Sequence, residues 1–118
     1  MKKFLSIILF GFLFSCNRTD CSQISSSFKS YIEAERILSN TSFNYTDKVN
    51  TDKSSWIRAA KFYSCDKQTG FFLIKTDKEE YIHKDVPIEI WTDFKNAQSF
   101  GSYYNQNIKY YYQLILIK

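Results

Sequence analysis

One histidine, one proline and three glycines among 118 residues leave little material for most site chemistries. A Gly-rich phosphate loop needs several glycines in register, and the chain has no such run. Three cysteines and the lone His83 show no CxxC or HxxxH spacing, so no tetrahedral metal set is expected, and no cofactor. No apolar run approaches the roughly 20 residues that cross a bilayer as a helix. The longest, Phe4 to Phe14, has eleven. Charge of one sign is scarce as well, since 16 Lys and Arg face 12 Asp and Glu. That balance argues against nucleic acid as a partner, because phosphate binding draws most of its affinity from clustered cations.

What is there begins at the N-terminus. Lys2 and Lys3 precede the apolar run, which ends in Leu13-Phe14-Ser15-Cys16. A basic start with a short apolar stretch reads as a secretory signal over residues 1–15. The "LFSC" resembles a lipobox of the Bacteroidetes-like kind that tolerates a bulky Phe14, which implies cleavage before Cys16 and acylation of its thiol. An ordinary signal peptide cut nearby, or an uncleaved anchor, are the alternatives. Cleavage leaves roughly 100 residues, enough for one domain. The following "NRTD" lacks an acidic surface-export run, so the expected place is the periplasmic face of the outer membrane. The membrane is then a partner through the lipid on Cys16. Residues 16–27 are almost all polar and read as a tether. Export also permits a bridge between Cys21 and Cys65, although sequence alone leaves their separation open.

From residue 28 to 53 a helix and an extended edge are expected. Phe28, Tyr31, Ile32, Glu35 and Leu38 recur at helical intervals, with Ser26 or Ser27 as N-cap and Asn40 near the end. Lys29 and Arg36 are offset by Glu33 and Glu35, so the stripe suits core packing better than a membrane surface. Phe43 to Asp47 reads as a possible edge strand. "WIRAAKFYSC", "GFFLIKT" and "YIHKDV" are rich in aromatic and β-branched residues and are separated by the turns "DKQTG" and "DKEE". Three antiparallel strands in a meander follow. Past Val86 the period changes to helical. Pro87 suits a first helical position with Asp85 or Val86 as cap, and Ser99 caps a second short helix bearing Phe100, Tyr104 and Ile108. Residues 113–118 form an apolar tail of strand-like composition. The expected class is α+β: a three-stranded, possibly four-stranded, antiparallel meander with an N-terminal helix and two short C-terminal helices.

The order of these residues resembles the KTSC domain, named after a C-terminal extension of some lysyl-tRNA synthetases. The resemblance runs from Ser54 to Tyr112 and is carried by Ser54, Ser55, Ile57, Tyr63, Leu73, Tyr81, Val86 and Pro87. It continues through Ala97, Ser99, Gly101, Tyr103, Tyr104, Asn105 and Ile108. Two departures stand out. His83 occupies the second position of the family's Tyr-x-Tyr, and Lys75 stands where an aromatic or apolar residue is usual. The resemblance implies the fold above and a suggested RNA affinity, but no established activity.

Strand alternation puts Tyr81, His83 and Asp85 on one face, with Glu79 next in line. Together with Tyr103 they form a candidate binding face, able to stack and to titrate. The other reading packs Tyr81 beneath a helix and leaves His83 at the sheet rim. Asp85 could orient His83 for acid–base chemistry, and Cys65 could pair with His83 as a nucleophile, which makes a hydrolase the third function class. A nucleic-acid reading would use Arg58, Lys61, Lys75 and Lys84 with Tyr81. The expected function is non-catalytic: a lipid-tethered module for a protein or an envelope polymer. Exposed members of Tyr103, Tyr110 and Tyr112 would serve as contact surface.

Overall fold

A computed structural model describes residues 19–24 and 28–117 of the chain. The signal segment, Cys16 and the caps Ser26 and Ser27 lie outside the described residues. In chain order the elements are β1 (Thr19–Asp20), a 3-10 turn (Cys21–Gln23), α1 (Tyr31–Ser39), β2 (Thr41–Ser42) and β3 (Tyr45–Val49). Then come β4 (Ile57–Ser64), β5 (Thr69–Thr76), β6 (Glu80–Pro87), α2 (Ile88–Lys95), α3 (Phe100–Asn107) and β7 (Leu114–Ile117). Five strands, β3-β4-β5-β6-β7, pair antiparallel in sequence order, while β1 and β2 form a separate parallel pair. The meander expected to have three, possibly four, strands therefore has five among the described residues, with an edge on each side of β4-β5-β6. One edge is the tail, whose LILI run pairs with β6, and the other begins at Tyr45, two residues later than Phe43.

The helices cover both faces of the sheet. On one, α2 and α3 bury Ile57, Ala60, Phe62, Phe72, Ile74, Val86, Trp91, Phe94, Phe100, Tyr104 and Ile108 together. On the other, α1 packs Tyr31, Ala34 and Leu38 onto Tyr63, Leu73 and Ile82, with Phe28 just upstream. Ser30, not Ser26 or Ser27, caps α1 by accepting the N–H of Glu33 at 3.0 Å. The expected stripe was rotated: the small Ala34 faces the sheet, and Ile32 is 75% exposed.

Bulges adjust the alternation. Between Gly70 and Phe72 on β5 the partners on β6 advance from Val86 to His83, so β6 holds one extra residue. Asp85, with φ of 57°, takes the bulge conformation. His83 and Val86, three residues apart, consequently both enter the α2/α3 core. A second bulge at Arg58 does the same for Ile57 and Ala60. Pro87 ends β6 and serves as N-cap of α2 without a side-chain bond, so Ile88 is the first helical residue. Pro87 had been expected one place inside the helix, with the cap at Asp85 or Val86. It instead fills the preceding position, where its fixed φ of −62° suits extended backbone.

Candidate functional site

His83, on which the expected binding face rests, is fully buried. Its Nδ1 lies 3.2 Å from the carbonyl oxygen of Tyr112, and its Nε2 lies 2.7 Å from the hydroxyl of Tyr104. A carbonyl can only accept, which assigns the proton to Nδ1 and makes Nε2 the acceptor for the Tyr104 O–H. Both nitrogens are thereby satisfied by the chain. Burial lowers the pKa of His83 below its ordinary value, against the opposing pull of the Tyr112 carbonyl, so the neutral ring is favoured. Rings enclose it further: Phe72 at 6.2 Å, Tyr81 at 6.4 Å and Tyr104 at 5.5 Å between centroids. The hydroxyl of Tyr104, itself in the core, has its pKa pushed up by burial first and by neighbouring Tyr81 second.

The expected binding face is thus dispersed. Tyr81 is half-buried and stacks on Tyr104, while Tyr103, one residue along α3, turns toward Phe94 with ring centroids 6.4 Å apart. Asp85 is exposed at its bulge and does not share the face of Tyr81 and His83, because the extra residue breaks the alternation on which that placement rested. Glu79 belongs to the β5–β6 turn, where its carbonyl accepts the N–H of Thr76. His83 is neither at a rim nor in an open site. Cys65 cannot act as its nucleophile partner, since Cys65 is bridged to Cys21 with a Cα–Cα distance of 5.7 Å. Asp20 lies beside the bridged sulfurs, but a disulfide presents no thiolate to a metal.

Residues of the supposed nucleic-acid set are also separated. Lys61, Lys75 and Lys84 alternate onto the α1 side of the sheet with Tyr63, Leu73 and Ile82, whereas Tyr81 joins the α2/α3 core. Arg58 pairs with Asp77 at 2.5 Å, Lys61 with Glu35 at 2.6 Å and Lys75 with Glu80 at 3.9 Å.

Asp47 is a residue that sequence reasoning left unassigned. Its carboxylate accepts from Trp91 Nε1 at 2.9 Å, Lys95 Nζ at 2.5 Å and the Tyr45 hydroxyl at 3.0 Å. Partial burial resists ionisation there, yet the three donors outweigh it and hold the carboxyl below the usual range. The contact ties edge strand β3 to α2 across more than forty residues, a separation no local pattern reveals.

A KTSC domain family model matches residues 53–112, half of the chain. The chain belongs to the KTSC domain family. No curated protein and no solved structure matches it. Within the KTSC region several of the resemblance-bearing residues build the fold. Ser54 Oγ accepts the N–H groups of Trp56 and Ile57 at 3.3 and 3.0 Å, opening β4. Ser99 caps α3 by accepting from Ser102 N at 3.2 Å. Gly101 lies under the Trp56 ring, where an added Cβ would meet Nε1 at 2.6 Å. Tyr104 holds His83, and Ile108 is fully buried. The departures divide by face: His83 is absorbed into the core, and Lys75 is exposed beside Glu80.

Among the described residues the least covered aromatic side chains follow α3. Tyr110 and Tyr111 are 78% and 69% exposed, with Lys109 Nζ 5.4 Å from the Tyr110 ring, while Tyr103 and Tyr112 are half-buried. No helix among the described residues is long and apolar enough to cross a membrane.

Proposed function

We propose that this KTSC protein is an exported module, anchored by acyl chains on Cys16 at the periplasmic face of the outer membrane. In this reading it binds a protein or an envelope polymer without performing chemistry. The observation that carries the reading is the Cys21–Cys65 bridge. Such a bridge suits an oxidising compartment, and it removes the one cysteine that could have partnered His83. The closed shell around His83 points the same way, because a general base must reach the proton it abstracts. With the Tyr81 and His83 face in the core, the contact surface moves to Tyr110 and Tyr111, rigid aromatic anchors of the kind that dominate binding energy.

Two measurements test it. Replacement Cys16→Ala abolishes metabolic lipid labelling and leaves the precursor uncut; persistent labelling contradicts the anchor. Crosslinking and pull-down of the tethered protein from its own envelope recovers a partner, and Tyr110→Ser with Tyr111→Ser reduces the recovery about tenfold or more. Unchanged recovery would remove the tyrosines from the interface.

A further inference from the structure

Resting on the anchoring of Cys16 proposed above, we infer that β1 and the Cys21–Cys65 bridge act as a strap that decides which end of the domain faces the bilayer. Thr19 pairs with Thr41 and Asp20 with Ser42, and one residue later the chain is bonded to Cys65. Cys65 follows Ser64, the last residue of β4, which pairs with Tyr45, the first of β3. The side chain of Asn44 donates to the Cys65 carbonyl at the same place. The strap therefore closes on the end of the sheet where β4 turns into β5.

Chain length turns that position into an orientation. Thr19 is three residues and the bridged Cys21 five residues beyond Cys16, so at about 3.3–3.6 Å per residue Cys21, and with it the strapped end, is held about 17 Å or less from the acylated residue. Without the strap the next buried position among the described residues is Phe28, twelve residues beyond Cys16, and the reach rises to about 40 Å. The eight-residue β5 separates the strapped end from the Asp77-Lys78 turn by about 23 Å. A tether shorter than the domain is long holds one end down. The end so placed is polar, with Asn44, Asp66, Lys67 and Gln68 all exposed, so it rests against lipid headgroups and inserts nothing. Asp66 and Lys67 balance one another, and the orientation comes from the tether, not from attraction to anionic lipid. The Asp77-Lys78 turn is left facing away from the membrane.

With the bridge formed, Cys16 is the remaining thiol of the three, and the chain from Cys16 onward can be coupled through it to a maleimide lipid. Vesicles of phosphatidylethanolamine and phosphatidylglycerol carry headgroup quencher, and a fluorophore is attached through an azido side chain installed at Gln68 or at Lys78. Strong quenching at 68 with little at 78 is expected, unchanged by salt or by omitting phosphatidylglycerol. A flexible insertion of roughly ten residues between Asn17 and Arg18, ahead of the first described residue, should bring the two signals together; Cys21→Ser with Cys65→Ser should do the same. Equal quenching in the native-length chain overturns the inference, as does an insertion without effect or an orientation that appears only with anionic lipid at low salt. Acylation in cells is read separately by lipid labelling. An oriented vesicle-bound domain whose Cys16 is unlabelled in cells would refute the anchor while leaving the strap geometry intact.

Discussion

The two faces of the sheet are built by different means. Among the described residues, the α2/α3 face joins eleven buried residues into one aromatic core around Trp91, Phe94, Phe72 and His83, and its two helices lie inside the KTSC match. The α1 face has seven among the described residues, the small Ala34 included, and its helix lies outside the match. Trp91 stacks on Phe62 at 5.4 Å and on Phe94 at 5.8 Å, while Phe72 meets Trp91, Phe94 and Tyr104. Dispersion and burial hold that side. The other side adds a covalent bridge and a two-residue strand pair to a thinner apolar contact. A sheet must bury both faces, and this chain meets the requirement with family residues on one face and an appended, stapled layer on the other.

The largest effect expected is on the family face. Trp91→Ala removes a fully buried ring and an Nε1 donor to Asp47, and should lower unfolding free energy by about 3–5 kcal/mol in denaturant titration. A loss under about 1 kcal/mol would show that this core is not the anchor of the fold. Breaking the bridge by Cys21→Ser with Cys65→Ser opens a loop of sequence separation 44, with an expected loss of about 2–4 kcal/mol. Its signature is regional. Amide exchange should rise first in β1, the 3-10 turn and α1, with β5 and α2 following only at global unfolding. Uniform acceleration would erase the distinction between the faces.

One substitution made on both faces should have opposite signs. Tyr104→Phe leaves the buried Nε2 of His83 without its donor and should cost about 1–3 kcal/mol. Tyr31→Phe removes a buried hydroxyl that finds no hydrogen-bond partner among the described residues, and should be neutral or stabilising by up to about 1 kcal/mol. Like-signed losses would mean that Tyr31 is as well satisfied as Tyr104.

The pH dependence follows from His83. Its folded pKa lies below the ordinary histidine value, so the unfolded chain takes up the proton first as pH falls through about 6.5. Stability is complete above that point and declines below it until the folded ring titrates. Asp47 acts at lower pH: its stabilisation is present above the ordinary carboxylate range and is lost as pH falls through its depressed folded pKa.

Much of this architecture was legible in sequence, and the exceptions have physical causes. Strand composition and turn residues marked β4, β5 and β6, and the Ser99 cap marked α3, because those signals are local. The LILI tail declared itself a strand by composition but not its neighbour, since pairing with β6 is a tertiary event. The phase of α1 differs from the expectation because Ala34 counts little on a hydrophobicity scale yet is fully buried against the sheet. At the candidate site, strict period-two alternation misplaced Asp85, and a bulge leaves no reliable trace in residue type. Asp47 stayed hidden because two of its three donors, Trp91 and Lys95, come from another element. The single histidine drew attention as a reactive group, but its chemistry is decided by Tyr104 and Tyr112, which only the folded chain brings to it.

The central claim, that His83 is a sealed part of the core and that contact lies elsewhere on the surface, is tested most directly by the nitrogen NMR spectrum of its ring. The account predicts a single neutral tautomer, protonated at Nδ1 and bare at Nε2, which persists unchanged as pH is lowered through about 6.5. A ring that titrates at its ordinary value, or that mixes tautomers, would contradict it and return His83 to the list of site residues.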